Sequence, residues 1–276
     1  MEGIYQIKGI PSGFPSLDDI TGGWQNGDLI VVGSRPYVGK TAFGLNVAIN
    51  VALNMHLPVM FYSQEMSAEY IAKRLLFSHA NAEGNISERI SNLDKSEWQK
   101  IEERLLKLAK APVYLNDTPC LSISDFCEKA TKHLSENGIK LIIIDSLQLM
   151  KGWPEDRGRR VDEVNHIVQS LKETAVAIGV PIIVLSQLRR LMRKDGSAHL
   201  KPTLKDFQET SGVEKCADMV ILLDRPSKEE IVERPDAEGE AEFILAVNKH
   251  GNVESVSMQF DKDRLSFVDP FTLEEE

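Results

Sequence analysis

Short apolar runs recur along this chain at residues 28–32, 59–63, 141–145, 181–185 and 219–223, and the stretches between them at 42–53, 87–110, 123–136 and 162–178 carry apolar residues at helical spacing. A further helix runs from a Ser67 cap to about residue 80. Runs such as Leu141-Ile-Ile-Ile lack the polar residue at alternate positions that a half-exposed strand needs, so both faces must be buried, as in a parallel sheet. Strand and helix in alternation predict an α/β fold: a mainly parallel sheet with helices on both faces. Residues 113–116 and 242–247 add strands, and 253–260 alternates like an antiparallel strand at the edge of the sheet. Residues 9–27 are rich in Gly, Pro, Ser and Asp and read as a loop-rich lead-in. With 276 residues and no internal repeat, one domain over 9–268 is the simplest organisation, with a short segment at 1–8 before it and an acidic tail at 269–276 after it.

The turn after the first run carries the sharpest chemical signal. Residues 33–41 read Gly-Ser-Arg-Pro-Tyr-Val-Gly-Lys-Thr, between a predicted strand and a predicted helix. At such a helix N-terminus free backbone N–H groups and the helix dipole favour phosphate. A nucleoside triphosphate is the expected ligand, held by Ser34, Arg35, Pro36, Tyr37, Val38, Gly39, Lys40, Thr41 and Ala42, with Lys40 reaching the β- and γ-phosphates and the Thr41 hydroxyl ligating Mg²⁺. Glycine usually stands six residues before the lysine; here that residue is Ser34, which must tolerate the tight turn.

In an open α/β sheet the site lies beyond the carboxyl ends of the strands. Asp145 ends the 141–145 run, where a carboxylate helps hold Mg²⁺. Glu65 follows the second run, placed to orient or deprotonate an attacking water, or else to serve as an acid at a helix N-terminus. Gln187 closes the 181–185 strand as a γ-phosphate sensor or a capping amide, and Arg74 is a phosphate contact or an exposed helix arginine.

A net charge of −10 argues at first against nucleic acid, which is bound by neutralising phosphates. Yet residues 151–205 hold eleven Lys and Arg against six Asp and Glu, a balance of +5 that leaves −15 on the rest. The basic residues gather in two clusters, Lys151, Arg157, Arg159 and Arg160, then Arg189, Arg190, Arg193 and Lys194, each following a predicted buried strand. Cys120, Cys127 and Cys216 form no C-x-x-C pair and read as reduced packing residues. No apolar run approaches the roughly 18 residues of a membrane span, so a cytoplasmic protein is expected.

Taken in order, Pro11-Ser-Gly-Phe-Pro-Ser-Leu-Asp18, Gly22-Gly-Trp-Gln-Asn-Gly-Asp-Leu-Ile30, Ser34-Arg-Pro-Tyr-Val-Gly-Lys-Thr41, Ser63-Gln-Glu-Met66, Ile144-Asp-Ser-Leu-Gln-Leu-Met150, Leu185-Ser-Gln-Leu188 and Glu214-Lys-Cys-Ala-Asp218 resemble the C-terminal motor domain of DnaB-type replicative DNA helicases. The resemblance implies a RecA-like fold, six such domains in a ring with ATP sites between neighbours, and single-stranded DNA in the central channel. It implies that Lys40 and Thr41 bind phosphate and Mg²⁺, that Glu65 is the catalytic carboxylate, Asp145 the Walker B acid, Gln187 the sensor and Arg74 a phosphate contact. It also accounts for Ser34, since the family commonly has Ala or Ser there.

Three departures accompany it. The family's amino-terminal helical domain does not precede these motifs, which implies a fragment or a reduced relative, makes 1–8 a linker remnant, and bears on ring assembly and on primase or loader contacts. The family's Lys and Arg before Asn-Gly, which reach a neighbour's ATP site, correspond here to Val247 and Lys249 in Val247-Asn-Lys-His-Gly251. The family's DNA loop, near Arg-Glu-Ser-Gly, corresponds to Gln208-Glu-Thr-Ser-Gly212, which keeps Glu209 and Gly212 but not the arginine, so DNA contact leans on Arg157, Arg159, Arg160, Arg189 and Arg190. Two functions follow: an ATP-driven helicase motor, or a RecA-like ATP-dependent DNA-binding or regulatory ATPase without unwinding activity.

Overall fold

In the computed structural model, which describes residues 8–79, 95–156, 158–190, 200–207 and 212–273, the apolar runs become neighbouring strands of one nine-stranded sheet. Strands β1 (Leu29–Ser34), β2 (Val59–Ser63), β3 (Val113–Asn116), β4 (Leu141–Asp145), β5 (Ile182–Gln187) and β6 (Met219–Asp224) are parallel. Strands β7 (Glu240–Asn248), β8 (Ser255–Asp261) and β9 (Ser266–Val268) extend it in antiparallel sense. The order is β3-β2-β4-β5-β1-β6-β7-β8-β9. β2 to β5 thus lie on one side of β1 and β6 on the other, so the chain reverses its direction of travel at β1. Such a switch point opens a crevice at the carboxyl end of that strand.

Each central strand divides its side chains between two cores, which explains the absence of polar residues along it. Ile30, Val32, Ile143, Ile183 and Leu185 pack with Phe43, Val47 and Val51 of α2 (Lys40–Asn54) on one face. Leu29, Val31, Ile142, Ile144, Ile182 and Val184 pack on the other with Phe126 of α3 (Ile123–Asn137) and Ile167 and Leu171 of α4 (Arg160–Ile178). Burying each such side chain contributes about 1.5–3 kcal/mol. Truncating one at the centre, as in Ile143→Ala, removes about 2–5 kcal/mol because a cavity is left as well.

Three expectations change. Residues 9–27 are not all loop, because α1 (Pro15–Thr21) forms there, with proline in its first turn and Gly22 closing it in the left-handed conformation at φ 69°. Asp18 organises that segment by accepting the N–H groups of Ser12 at 2.6 Å and Gly13 at 3.1 Å. Residues 253–260 supply β8, which is antiparallel as predicted but interior, since the three-residue β9 covers its outer side and is too short to show a period. Asp269 does not begin a free tail: it is buried, and its carboxylate accepts the Ser16 N–H and hydroxyl at 2.7 and 2.8 Å. The helix expected over 87–110 is observed over Lys95–Lys110, with 87–94 outside the described residues.

Candidate active site

Ser34 is the last residue of β1, in register with Gln187 and Leu223, so it occupies an extended strand position and not the tight turn. That is why serine is tolerated there. Gly33 answers a packing demand, since a Cβ on it would stand 2.8 Å from the Phe207 ring. The turn proper spans 35–39. Tyr37 stands at its outside with φ 67°, 94% exposed, and Gly39 takes φ 120° before α2 begins at Lys40. Only glycine adopts that angle without strain. A Cβ on Gly39 would also lie 3.0 Å from the Phe267 ring and 3.2 Å from Phe260. No side chain caps the start of α2, so its first N–H groups face the crevice.

Lys40, Thr41 and Asp145 come together there. The Thr41 hydroxyl donates to Asp145 Oδ2 at 2.6 Å, and Lys40 Nζ lies 3.4 Å from Asp145 Oδ1. The Asp145 side chain is 1% exposed, and Oδ1 has no hydrogen-bond partner among the described residues. The one cation on that oxygen is Lys40, paired without a hydrogen bond, and a buried carboxylate oxygen so weakly engaged is costly unless a further cation takes it up. Hydroxyl and carboxylate are the hard oxygen donors Mg²⁺ takes, and that ion is held by one or two protein groups together with substrate phosphates. Thr41 and Asp145 therefore fit the metal expected of them.

Two glutamines that were not singled out in the sequence fix this arrangement. Gln64 donates its N–H to the Asp145 carbonyl at 2.8 Å and its amide to the Ser146 carbonyl at 3.0 Å, while its Oε1 accepts the Leu121 N–H. Gln148 accepts the Gln187 N–H at 3.0 Å and donates to the Ser186 hydroxyl at 2.9 Å. Both lie inside the motifs Ser63-Gln-Glu-Met66 and Ile144-Asp-Ser-Leu-Gln-Leu-Met150, the signal that would have found them. Arg225, which was also missed, follows β6, donates to the Val38 carbonyl at 3.0 Å and lies over the Phe260 ring at 3.5 Å. Burial pushes its guanidinium down to about 10, still charged at neutral pH.

Glu65 is exposed just past β2, one strand over from Asp145, whose Cα pairs with Ser63. Arg74, on the helix Ala68–His79, is half-buried with Nη1 against Met66 Sδ at 3.9 Å, and so reaches back to the residue beside Glu65. Gln187 is exposed at the end of β5, next to Ser34.

Lys249 is not with them. β7 runs antiparallel to β6, and its last residue Asn248 pairs with Met219, the first of β6. Lys249 therefore sits at the opposite edge of the sheet, roughly 16 Å along β6 from the end nearest the turn. There its N–H donates to the Asp218 carbonyl at 2.9 Å, and Nζ lies 3.5 Å from Asp218 Oδ1. Asp218 also accepts Lys172 Nζ at 2.6 Å and the Leu29 N–H at 2.8 Å. Burial raises the Asp218 carboxyl, but these hydrogen bonds and the charges of Lys172 and Lys249 outweigh it and hold it below the usual range. His250 Nε2, next in the chain, lies 2.9 Å from Asp28 Oδ1.

β4 and β5 are adjacent and parallel, so the two basic segments leave the same edge. Arg189 and Arg190 are exposed. Arg160 is engaged inward, donating to Glu163 at 3.0 Å and to the Gln148 carbonyl at 2.9 Å, and Arg159 lies 3.7 Å from Asp162. The Gly212 N–H donates to Asn165 at 2.8 Å. Arg157, Arg193, Lys194 and Glu209 lie outside the described residues. No helix among the described residues is long and apolar enough to cross a membrane.

Comparisons with known proteins bear on the family and the fold. The profile of the DnaB-like helicase C terminal domain matches residues 9–269. The replicative DNA helicase DnaB of Geobacillus stearothermophilus is 38% identical over 268 residues, covering 95% of this chain and 57% of its own length. Among solved structures, an isolated ATPase domain superposes with a TM-score of 0.84 at 27% identity, over 97% of this chain and 93% of that one. A DnaB-like replicative helicase, described with its interactions with primase, gives a TM-score of 0.84 at 27% identity over 96% of this chain and 62% of that one. The chain thus spans little more than half the length of the curated relative, and its fold is RecA-like, a mostly parallel sheet with antiparallel strands at its C-terminal end. From a profile match over nearly its whole length, this chain belongs to the DnaB-like helicase C-terminal domain family.

Proposed function

We propose that this chain is the ATP-driven motor of a replicative DNA helicase, hydrolysing ATP between copies of itself to move along single-stranded DNA. The observation that carries the reading is the closure of Lys40 and Thr41 on Asp145 at the switch point of the sheet. The backbone of 35–41 and the first N–H groups of α2 take the phosphates, and Lys40 exchanges its contact with Asp145 for the β- and γ-oxygens. Thr41 and Asp145 hold Mg²⁺, which when bound neutralises charge on the phosphates. Glu65 orients the attacking water and accepts its proton, with Gln187 beside the γ-phosphate and Arg74 as a further contact. Lys249 is too distant to serve its own chain's site, so it acts on a neighbour's, which makes assembly, as a hexameric ring, a condition of turnover. Arg189 and Arg190, with Arg157 and Arg159, carry the DNA phosphates, and Arg160 acts by fixing Gln148. Primase or a helicase loader would contact a part of the protein beyond these residues, and the setting is cytoplasmic.

The test is ATP hydrolysis by the assembled protein with and without single-stranded DNA. Stimulation by DNA that disappears in Lys40→Ala is the expected result, and a wild type indifferent to DNA under conditions that permit assembly sinks the motor reading. A second reading, a RecA-like regulatory ATPase without unwinding, is favoured by Val247 and Lys249 at the finger positions. It predicts nucleotide-dependent DNA binding with no strand separation.

A further inference from the structure

The turn holds one cation, Arg35, of which the reading above uses only the backbone. Arg35 is largely buried, and its guanidinium Nε and Nη2 have no hydrogen-bond partner among the described residues. Among the described residues it is ion-paired with Asp206, with Nη2 3.8 Å from Oδ2, too long for a hydrogen bond. A guanidinium offers five donors, and one buried with a single distant counter-charge is poorly compensated.

Asp206 occupies a short turn tied to the sheet by hydrogen bonds. Its carboxylate accepts the Thr203 N–H at 2.8 Å, and its carbonyl accepts the Arg189 N–H at 2.9 Å. Phe207 bridges Leu188, and Leu188 donates its N–H to the Ser34 carbonyl at 2.8 Å. Asp206 therefore touches the nucleotide turn with its side chain and the exposed Arg189-Arg190 pair with its backbone.

We propose that Arg35 and Asp206 are a positioning pair through which nucleotide in the turn sets the placement of Arg189 and Arg190, and with it the affinity for single-stranded DNA. The proposal rests on the nucleotide and DNA roles given above. A phosphate in the turn offers Arg35 the acceptors it lacks. Drawn toward them, Arg35 leaves Asp206 with an unbalanced charge, and the 203–207 turn shifts with the Arg189 N–H bonded to it. By linkage the effect is reciprocal: DNA that moves Arg189 alters the affinity for nucleotide by the same factor.

The experiment measures the dissociation constant of a fluorescent oligothymidylate with and without a non-hydrolysable ATP analogue and Mg²⁺, at one salt concentration. For the wild type the two values should differ by about tenfold, within the usual range of coupling between sites. Asp206→Asn keeps an amide oxygen for the Thr203 N–H but loses the charge. It should bring the ratio to about one or two while analogue affinity without DNA stays within about twofold. Arg35→Gln should lose the ratio as well, and the double variant should lose no more than either alone. An Asp206→Asn protein with the wild-type ratio overturns the pair. So does one that weakens DNA by the same factor in both nucleotide states, which is what a merely structural turn would do. A wild-type ratio of one overturns the functional reading together with the pair, whereas a wild-type ratio that survives Asp206→Asn overturns the pair alone.

Discussion

At the carboxyl edge of the sheet a lysine, a threonine and a buried aspartate have closed on one another and leave one carboxylate oxygen unsatisfied. At the opposite edge another lysine faces an aspartate, but Asp218 is less buried and is satisfied by a second cation: its Oδ2 accepts Lys172 and the Leu29 N–H, while its Oδ1 faces Lys249 at 3.5 Å. The first arrangement gains when a cation and phosphates arrive. The second is stable as it stands, and Lys249 must surrender an ion pair before it can act elsewhere. Partly exposed, that pair is worth at most about 1 kcal/mol, a small cost beside a finger's contribution. On the function proposed above, the closed edge takes ligand and the satisfied edge holds a side chain ready.

Removing charge from the closed edge should have the largest effect. Lys40→Ala is expected to abolish DNA-stimulated hydrolysis to background, and a variant retaining a tenth of wild-type turnover would place phosphate binding elsewhere. Glu65→Gln comes next, with nucleotide affinity kept, since the Glu65 side chain is exposed, and turnover reduced by about 10²–10⁴. Equilibrium binding and single-turnover hydrolysis of the same preparation separate the two, and undiminished turnover would remove Glu65 from the chemistry.

The satisfied edge gives a smaller effect with a distinctive sign. A finger arginine is worth about 10³–10⁵ in rate, and lysine keeps the charge without the planar fork. Lys249→Ala should therefore cost about 10²–10³, up to about tenfold below the low end of that range, and Lys249→Arg should raise turnover by about tenfold. Mixing Lys249→Ala with Lys40→Ala subunits sharpens the contrast: if Lys249 acts in trans, some mixed interfaces pair an intact Lys40 with an intact Lys249 and regain activity. No recovery in mixtures shown to co-assemble would confine Lys249 to structure.

The two edges were unequally legible in the sequence. The strand runs, the turn and Asp145 were readable because each is local: an apolar run, a glycine, a polar residue at the strand end. Gln64 and Gln148 were not, because a glutamine is a frame only through its partners, and the Leu121 N–H, Ser146 carbonyl and Ser186 hydroxyl are brought to them by pairing of distant strands. Lys249 could be named from its motif, but its edge depends on the direction of β7, which the short segment before it does not announce. Arg225 was hidden because stacking on Phe260 and bonding to Val38 arise only when β6, β8 and the turn converge. Serine for glycine at residue 34 raised a question about turn strain that the register answers, since that residue belongs to the strand.

Acid titration offers the most local way to separate the edges, through stability and not turnover, because the satisfied edge is backed by Pro15–Thr21, whose Ile20 carbonyl accepts Asn248 Nδ2 at 3.4 Å. Burial pushes the Asp18 carboxyl in that helix up to about 6, against the lowering effect of hydrogen bonds from Ser12 and Gly13. A group with a raised folded value binds its proton more tightly in the native state, so its stabilising contribution is complete below about pH 4 and is lost as pH rises through about 6. The loss is up to about 3 kcal/mol. Asp218 has the opposite sign: its folded value is lowered, so its contribution is present above about pH 4 and disappears as acid protonates it. Urea midpoints of wild type and Asp18→Asn, compared from pH 4 to 8, isolate the first effect from the other carboxylates. The difference between the two proteins should move in favour of the variant by up to about 3 kcal/mol between pH 4 and 6 and then stay level. A difference that does not change with pH would mean that Asp18 has the same value folded and unfolded, the hydrogen bonds from Ser12 and Gly13 cancelling the effect of its burial, and a difference that moves in favour of the wild type would mean that they outweigh it.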